Sequence, residues 1–516
     1  KITILTGLLP TLIVVIGIPN CVYMINKYHA EFRKHGNKQK ALVRALSKIG
    51  HVTFFTNLTT AIGFGVFFLT DTKLLDEFGL VAFLNIVATF LISVIMIPVM
   101  FSYLPEPKTR QLLHLENKWL TGILDKLEVW AINHRPIVFT FFGIGLVMAI
   151  IGLTQLKAEG YILDDVSKRT KVYKDLKFFE KHFAGVMPFE ITIDSGKEGG
   201  AMDRNFLSKI DRLHDTLQTF EVFSKPLSIV EGYKFLVQAY YNGNPNYYRL
   251  ATGFELSQNP RLRSFLKRVE LNAAENLSVK IMDSTNQVAR VSVRMADIGS
   301  DSLPKLLAQL RPKIDSIFPG DRYDVTTTGT SIIAIEGFNF LIDGLVYSVA
   351  LAFVLIAIIM AYLFRSLRML LISLVPNIFP LLITAGIMGF FSIPLKPSTV
   401  LVFSVAFGIS VDYTIHFLAK YRQELMWHNW DIMKTVSVSL RETGVSMLYT
   451  SLILFFGFIV FTGSEFDGTV NLGRLTSITL VVAMLSNLVF LPALLISIRR
   501  FAAPKKRPTP PPNVER

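Results

Sequence analysis

The chain has 516 residues, 51% of them hydrophobic and only 18% charged, and its mean hydropathy is +0.44; this balance excludes an ordinary soluble protein and fits a multi-pass membrane protein with a sizeable aqueous part. The 53 Lys and Arg against 39 Asp and Glu leave a net charge of +14, but the basic residues cluster beside apolar runs and build no aromatic-basic groove, which argues for orientation in a membrane and against a nucleic-acid partner. Cys21 is the only cysteine, which rules out an internal disulfide framework or a Cys-based metal site.

The chain opens at Lys1 and enters an apolar run almost at once, with no signal peptide, so it reads as part of a longer polypeptide. Crossing a bilayer takes about 20 mostly apolar residues. Nine such stretches occur, near 5–27, 52–70, 79–103, 137–156, 344–364, 369–391, 398–420, 445–463 and 472–497. After the first, residues 27–51 carry Lys27, Arg33, Lys34, Lys38, Lys40, Arg44 and Lys48 against one acid, Glu31. The next connection, TDTKLLDEFG (70–79), is net acidic. Residues 105–136 are basic and partly amphipathic, which predicts a helix on the cytoplasmic surface linking two packages of spans; a plain solvated linker is the alternative.

Residues 157–343 are too long and too polar for a loop. PFEITIDSG (188–196) alternates like a strand, and 202–220 forms an amphipathic helix with Phe206, Ile210, Leu213 and Leu217 on one face. ARVSVRMADIG (289–299) is a second strand, 302–318 a second helix with Pro304 in its first turn, and YDVTTTG (323–329) a third strand. The β-α-β…β-α-β order predicts a split, ferredoxin-like α/β domain. Between its halves, 228–280 is a helical insertion rich in Tyr and Phe, which lines an apolar path or forms ordinary core. No Ser-His-Asp set, phosphate loop or HExxH motif occurs, so neither enzyme activity, a cofactor nor a metal is expected.

In the second package the link RSLR (365–368) and the tail RRFAAPKKR (499–507) are basic, and TGSEFDG (462–468) is acidic. Threading the spans alternately puts every basic connection on one side, the cytoplasm, and 157–343 outside. VPNIFP places Pro376 and Pro380 one turn apart, interrupting the backbone ladder as a hinge, and Gly386 and Gly389 allow close helix contact. The Pro-rich end, 499–516, is expected to be disordered.

GISVDYTIHF (408–417) sets Asp412 near the middle of a span. An acid there costs about 2.5–3.5 kcal/mol on insertion scales, and intramembrane acids usually serve function. A carboxyl group that can take up and lose a proton inside the bilayer is a natural proton carrier. His416 shares its face one turn on, Tyr413 adds a hydroxyl, and Tyr449, Thr450 and Ser451 of the next span are available as hydrogen-bonding support. The plainer readings are a helix–helix contact for Asp412, an interfacial position for His416 and packing for Thr450 and Ser451.

The first hundred residues match the last hundred. Tyr28 falls on Tyr421 and, after a one-residue slip, Gly50 on Gly444, Thr56 on Thr450, Gly63 on Gly457, Gly79 on Gly473 and Pro98 on Pro492. The second copy has two further spans, 344–364 and 369–391, so their mates and a partner outer domain are expected upstream of Lys1.

GISVDYTIHF, LVPNIFPLLITAGIMG (374–389) and the paired G…T…G runs at 50–63 and 444–457 resemble the resistance-nodulation-division (RND) superfamily. The nearest branch contains the MMPL family, the hopanoid exporters and Patched. The resemblance implies a polytopic RND-type bundle. In it, 1–104 would be the last three spans of the first repeat, 137–156 the first span of the second repeat, 157–343 a periplasmic porter domain, and 344–498 the other five spans. It further implies proton-driven export of hydrophobic or lipid-like molecules in a bacterial inner membrane, with a homo-oligomer or a periplasmic adaptor as possible partners. Asp412 and Tyr413 fall on the family's Asp-Tyr relay position. The matching first span, GIPNCVYMINKY (17–28), has no acid, and Asn20 is expected to hydrogen-bond Asp412 across the repeat interface. The alternatives are a sterol-sensing-like lipid-binding protein without coupled transport and a translocation accessory of the SecD/SecF kind.

Overall fold

A computed structural model describes residues 3–70, 72–108, 118–157, 160, 161, 166, 170–183, 185–273 and 281–498. Part of the expected linker, 109–117, and the Pro-rich tail lie outside the described residues. The chain divides into two compact units, one of Lys1–Ala158 with Leu341–Arg516 and one of Glu159–Phe340.

The first unit opens with helices α1 (Ile4–His35), α2 (Lys38–Gly65) and α3 (Lys73–Tyr103). Thr3 and Thr6 cap the start of α1 reciprocally, and Gly36, at φ +62°, ends it by donating its N–H to the Phe32 carbonyl. Asn37 then caps α2, accepting from the Lys40 N–H at 2.9 Å. The turn is therefore tight, and it holds the basic connection at one end of the bundle. Glu31, the lone acid of that connection, is buried between Lys27 and His35, at 3.6 and 3.5 Å.

Helix α4 (Lys118–Asn133) precedes α5 (Arg135–Leu153). Leu120, Leu124 and Ala131 are buried. On its polar side Glu128 takes the Arg441 guanidinium at 2.9 Å and the Ser437 hydroxyl at 2.5 Å. The expected linker is thus a packed amphipathic helix, not a solvated one.

The second unit contains α6 (Lys171–His182), β1 (Met187–Asp194), α7 (Arg204–Gln218), α8 (Ile229–Tyr240), α9 (Gly253–Gln258), α10 (Pro260–Ala273), β2 (Val288–Met295), α11 (Gly299–Ile317) and β3 (Asp324–Thr328). The sheet order is β2-β1-β3, all antiparallel, with Met187 opposite Met295 and Asp194 opposite Asp324. An extended segment pairs along the free edge of β2 through Phe223–Met295 and Leu227–Ser292. β1 ends where Asp194 accepts the Gly196 N–H in a turn at φ +75°. Phe206, Ile210, Leu213 and Leu217 of α7 and Leu303, Leu310 and Ile314 of α11 pack on Phe189, Ile191, Ile193, Val291 and Val293 of the sheet. The aromatic insertion is core, not a path: Tyr233, Tyr240, Tyr241, Tyr247 and Phe265 close around Val237 and Leu262, and Tyr241 stacks on Tyr247 at 3.9 Å.

The chain continues through α12 (Thr330–Phe364), α13 (Leu367–Phe390), α14 (Pro397–Trp427), α15 (Ile432–Ile459), α16 (Asp467–Leu485), a wide π-helical turn at Ser486–Phe490 and α17 (Leu491–Ser497). Among the described residues nine helical spans are long and apolar enough to cross a membrane. Their exposure differs sharply. Within an apolar 18-residue stretch of each, 89% of the residues of Pro397–Trp427 are buried and only 17% of those of Leu75–Tyr103, so α14 is the centre of the bundle and α3 one of its outer staves.

Candidate functional site

Pro397 in the first turn and Thr399, which accepts the Lys396 N–H at 2.8 Å, start α14. Two glycines then let α2 approach closely. A Cβ on Gly408 would lie 3.3 Å from the Thr60 Cα, and one on Gly63 would lie 3.4 Å from the Ser404 carbonyl. This contact brings Thr60 against Asp412, with its hydroxyl 3.4 and 3.5 Å from the two carboxylate oxygens. The same hydroxyl is 3.1 Å from the Thr56 carbonyl of its own helix, so Asp412 is held loosely. Val411 and Tyr413 on either side are fully enclosed, whereas Asp412 keeps part of its surface accessible.

Tyr413 accepts the Ser451 hydroxyl at 2.9 Å. Thr450 donates to Met447 of its own helix at 3.0 Å and is buried. His416 stacks on Tyr23, ring centroids 3.9 Å apart and planes 14° apart. Asn20 does not meet Asp412, contrary to the expectation from the sequence. It exchanges two amide hydrogen bonds with Asn57, at 2.7 and 2.9 Å, because α2 presents that amide to it.

Helix α13 runs unbroken through Pro376 and Pro380. The carbonyl of Pro376, deprived of its helical donor by Pro380, accepts the Ser486 hydroxyl at 2.9 Å instead. Gly386 and Gly389 lie directly on Ala149 and Gly152 of α5, too close for any side chain.

A second polar cluster, which the sequence reading does not anticipate, occupies the opposite face of α14. Asn377 accepts Ser410 at 2.8 Å and bonds Thr414 through both ends of its amide, and Thr414 donates to Asn487 at 2.5 Å. All four residues are fully buried. The Ser-xxx-Thr spacing on α14 and lone asparagines within apolar runs are the signals that point to it.

The register that puts Tyr28 on Tyr421 also puts Pro19 on Asp412, Asn20 on Tyr413 and Tyr23 on His416. The register that puts Gly50 on Gly444 puts Asn57 on Ser451 and Thr60 on Leu454. The Asn20–Asn57 pair therefore stands in one half where Tyr413–Ser451 stands in the other. At the basic end, a cleft of about 340 Å³ opens between α1, α2, α14 and α15. Its walls include Asn26, Lys27, Lys420, Glu442 and Ser446, and it reaches Tyr23 and His416.

An apolar bundle of long spans, with one loosely held acid on its most enclosed helix and an α/β unit beside it in the sequence, defines a multi-pass membrane protein. The MMPL family model matches residues 261–511, and the model of the sterol-sensing domain of SREBP cleavage-activation matches residues 1–114. The MMPL match covers just under half of the chain, and these matches make the chain similar to RND/MMPL transporters. It is similar to a membrane protein of Methanocaldococcus jannaschii, 28% identical over 29% of this chain and 38% of that protein. It is also similar to the hopanoid transporter HpnN of Burkholderia multivorans, 26% identical over 44% of this chain and 26% of that protein. Membrane protein YdfJ of Bacillus subtilis is 19% identical over 89% of this chain and 57% of its own length. The chain thus spans less than two thirds of each of these relatives.

Proposed function

We propose that the chain is the core of a proton-driven transporter that exports hydrophobic or lipid-like molecules, with Asp412 as the group that binds and releases the proton. Tyr413 and His416 flank it as relay residues, Ser451 and Thr450 support Tyr413, and α13 with Pro376, Pro380, Gly386 and Gly389 is the element that moves. The observation that carries this reading is the state of Asp412. It sits on the most enclosed span, retains accessible surface and, among the described residues, has only long hydrogen bonds, from Thr60. A carboxylate fixed in a helix–helix contact would be short-bonded and covered. The strand order β2-β1-β3 with an added edge segment supports a ferredoxin-like porter domain in the outer unit. The basic connections support its placement on the periplasmic side of an inner membrane. The hopanoid cargo named for the Burkholderia relative supports a lipid-like substrate.

Pro19 at the position related to Asp412, together with the sterol-sensing match, favours a second reading: a lipid-binding bundle without coupled transport. Proteoliposomes holding the full chain, a trapped pH-sensitive dye and a labelled hopanoid separate the two. Acid-driven proton entry and hopanoid release that both vanish in Asp412→Asn support the transporter. Hopanoid binding without proton entry, unchanged in Asp412→Asn, supports the second reading and overturns the first.

A further inference from the structure

We infer that the stacked rings of Tyr23 and His416 form the gate between the basic-end cleft and the Asp412 site; as a step in a transport cycle, this rests on the proton-driven reading above. Both halves contribute to the cleft lining. Asn26 and Ser446, hydrogen-bonded at 3.1 Å, line it together with Ala419 and Val52, the residues at their related positions. Its inner lining includes Tyr23 and His416 but not Asp412, Tyr413 or Ser451. Parallel rings at 3.9 Å are in van der Waals contact and leave no space for water between them. Beyond them, one helical turn along α14, Asp412 again has accessible surface. Accessible surface thus lies both in the cleft that reaches this aromatic contact and, one turn further along α14, at Asp412.

The two rings come from different halves, Tyr23 on α1 and His416 on α14, at related positions. A small displacement of one half against the other therefore parts the stack without breaking either helix. The Tyr23 hydroxyl is buried on the inner side of the stack, within reach of the Thr450 side chain.

The test is thiol accessibility in the full chain carrying Cys21→Ser and the reporter Ser451→Cys, which lies behind the gate. A small charged methanethiosulfonate is applied to inside-out vesicles. Labelling is slow with Tyr23 present, at least tenfold faster in Tyr23→Ala and in His416→Ala, and slow again in Tyr23→Phe, which keeps the ring. Fast labelling with both rings intact, no acceleration in either alanine variant, or acceleration in Tyr23→Phe equal to that in Tyr23→Ala overturns the gate. The same series in Asp412→Asn separates the water barrier from proton movement. If labelling follows the pattern while that variant still admits protons, the gate stands as a water barrier and the proton assignment fails.

Discussion

Thr60 meets Asp412 across the α2–α14 contact, its hydroxyl 3.4 Å from one carboxylate oxygen, whereas Leu454 and Pro19 at the related positions of the other half can form no such bond. Removing it tests how much the acid relies on that contact. Thr60→Val is expected to slow acid-driven proton entry about fivefold, the equivalent of about 1 kcal/mol for one modest hydrogen bond. Thr60→Ser, which keeps the hydroxyl, should stay near the parent rate in the same dye assay.

The cluster on the opposite face of α14 is structural. Asn377→Ala strips Ser410 and Thr414 of their shared acceptor in a fully buried setting. A loss of roughly 1–2 kcal/mol is expected, seen as a lower melting temperature in detergent, with proton entry at permissive temperature retained.

Gly386 carries the α5–α13 crossing, where an added Cβ would lie 2.6 Å from the Ala149 Cα. Gly386→Ala is expected to cost roughly 1–3 kcal/mol by overpacking. Gly143→Ala, with nothing within 4 Å of its Cβ, is the matched control and should leave melting unchanged.

The α/β unit, Glu159–Phe340, should loosen on acidification. Burial holds the His214 imidazole below its ordinary range, against the pull of Glu231 at 3.6 Å. Burial also tends to raise the Glu231 carboxyl, but its contacts with Lys225 and Tyr248, with Lys234 close by, outweigh that and lower it to about 2. Both groups bind protons more readily once unfolded, so both contribute stability that disappears as pH falls. The His214 share fades below about pH 6.5, and the Glu231 share between about 4.5 and 2. Melting of the α/β unit followed by pH should therefore decline from neutrality downward, and His214→Gln should flatten the upper part of that decline while leaving the lower part.

A feature is legible in the sequence when it is set by a residue's own helix, and hidden when it depends on a neighbouring one. The spans show in apolar length alone, and the face of α7 in the spacing of Phe206, Ile210, Leu213 and Leu217, because burial of those residues follows from helical periodicity. Asp412 is conspicuous for the same reason: a charge in an apolar run needs no partner to be noticed. Partners are another matter. The family resemblance points Asn20 at Asp412, yet its mate is Asn57, and although Asn487 stands out in its apolar run, nothing in the chain marks Thr414 as its partner. Which amide meets which depends on helix rotation and on the wide turn at Ser486–Phe490. Tyr23 stands out only as part of a segment without an acid, and its stacking on His416 comes from the approach of two spans that lie far apart in the sequence.

Pro19 in place of a second acid also has an electrical consequence. A membrane voltage does work on a protein in proportion to the charge that crosses the field, about 2.3 kcal/mol per elementary charge per 100 mV. With Asp412 alone at the two related positions, each turnover of the proposed cycle draws on a single elementary charge. Its rate should follow voltage with the shallow slope of one charge.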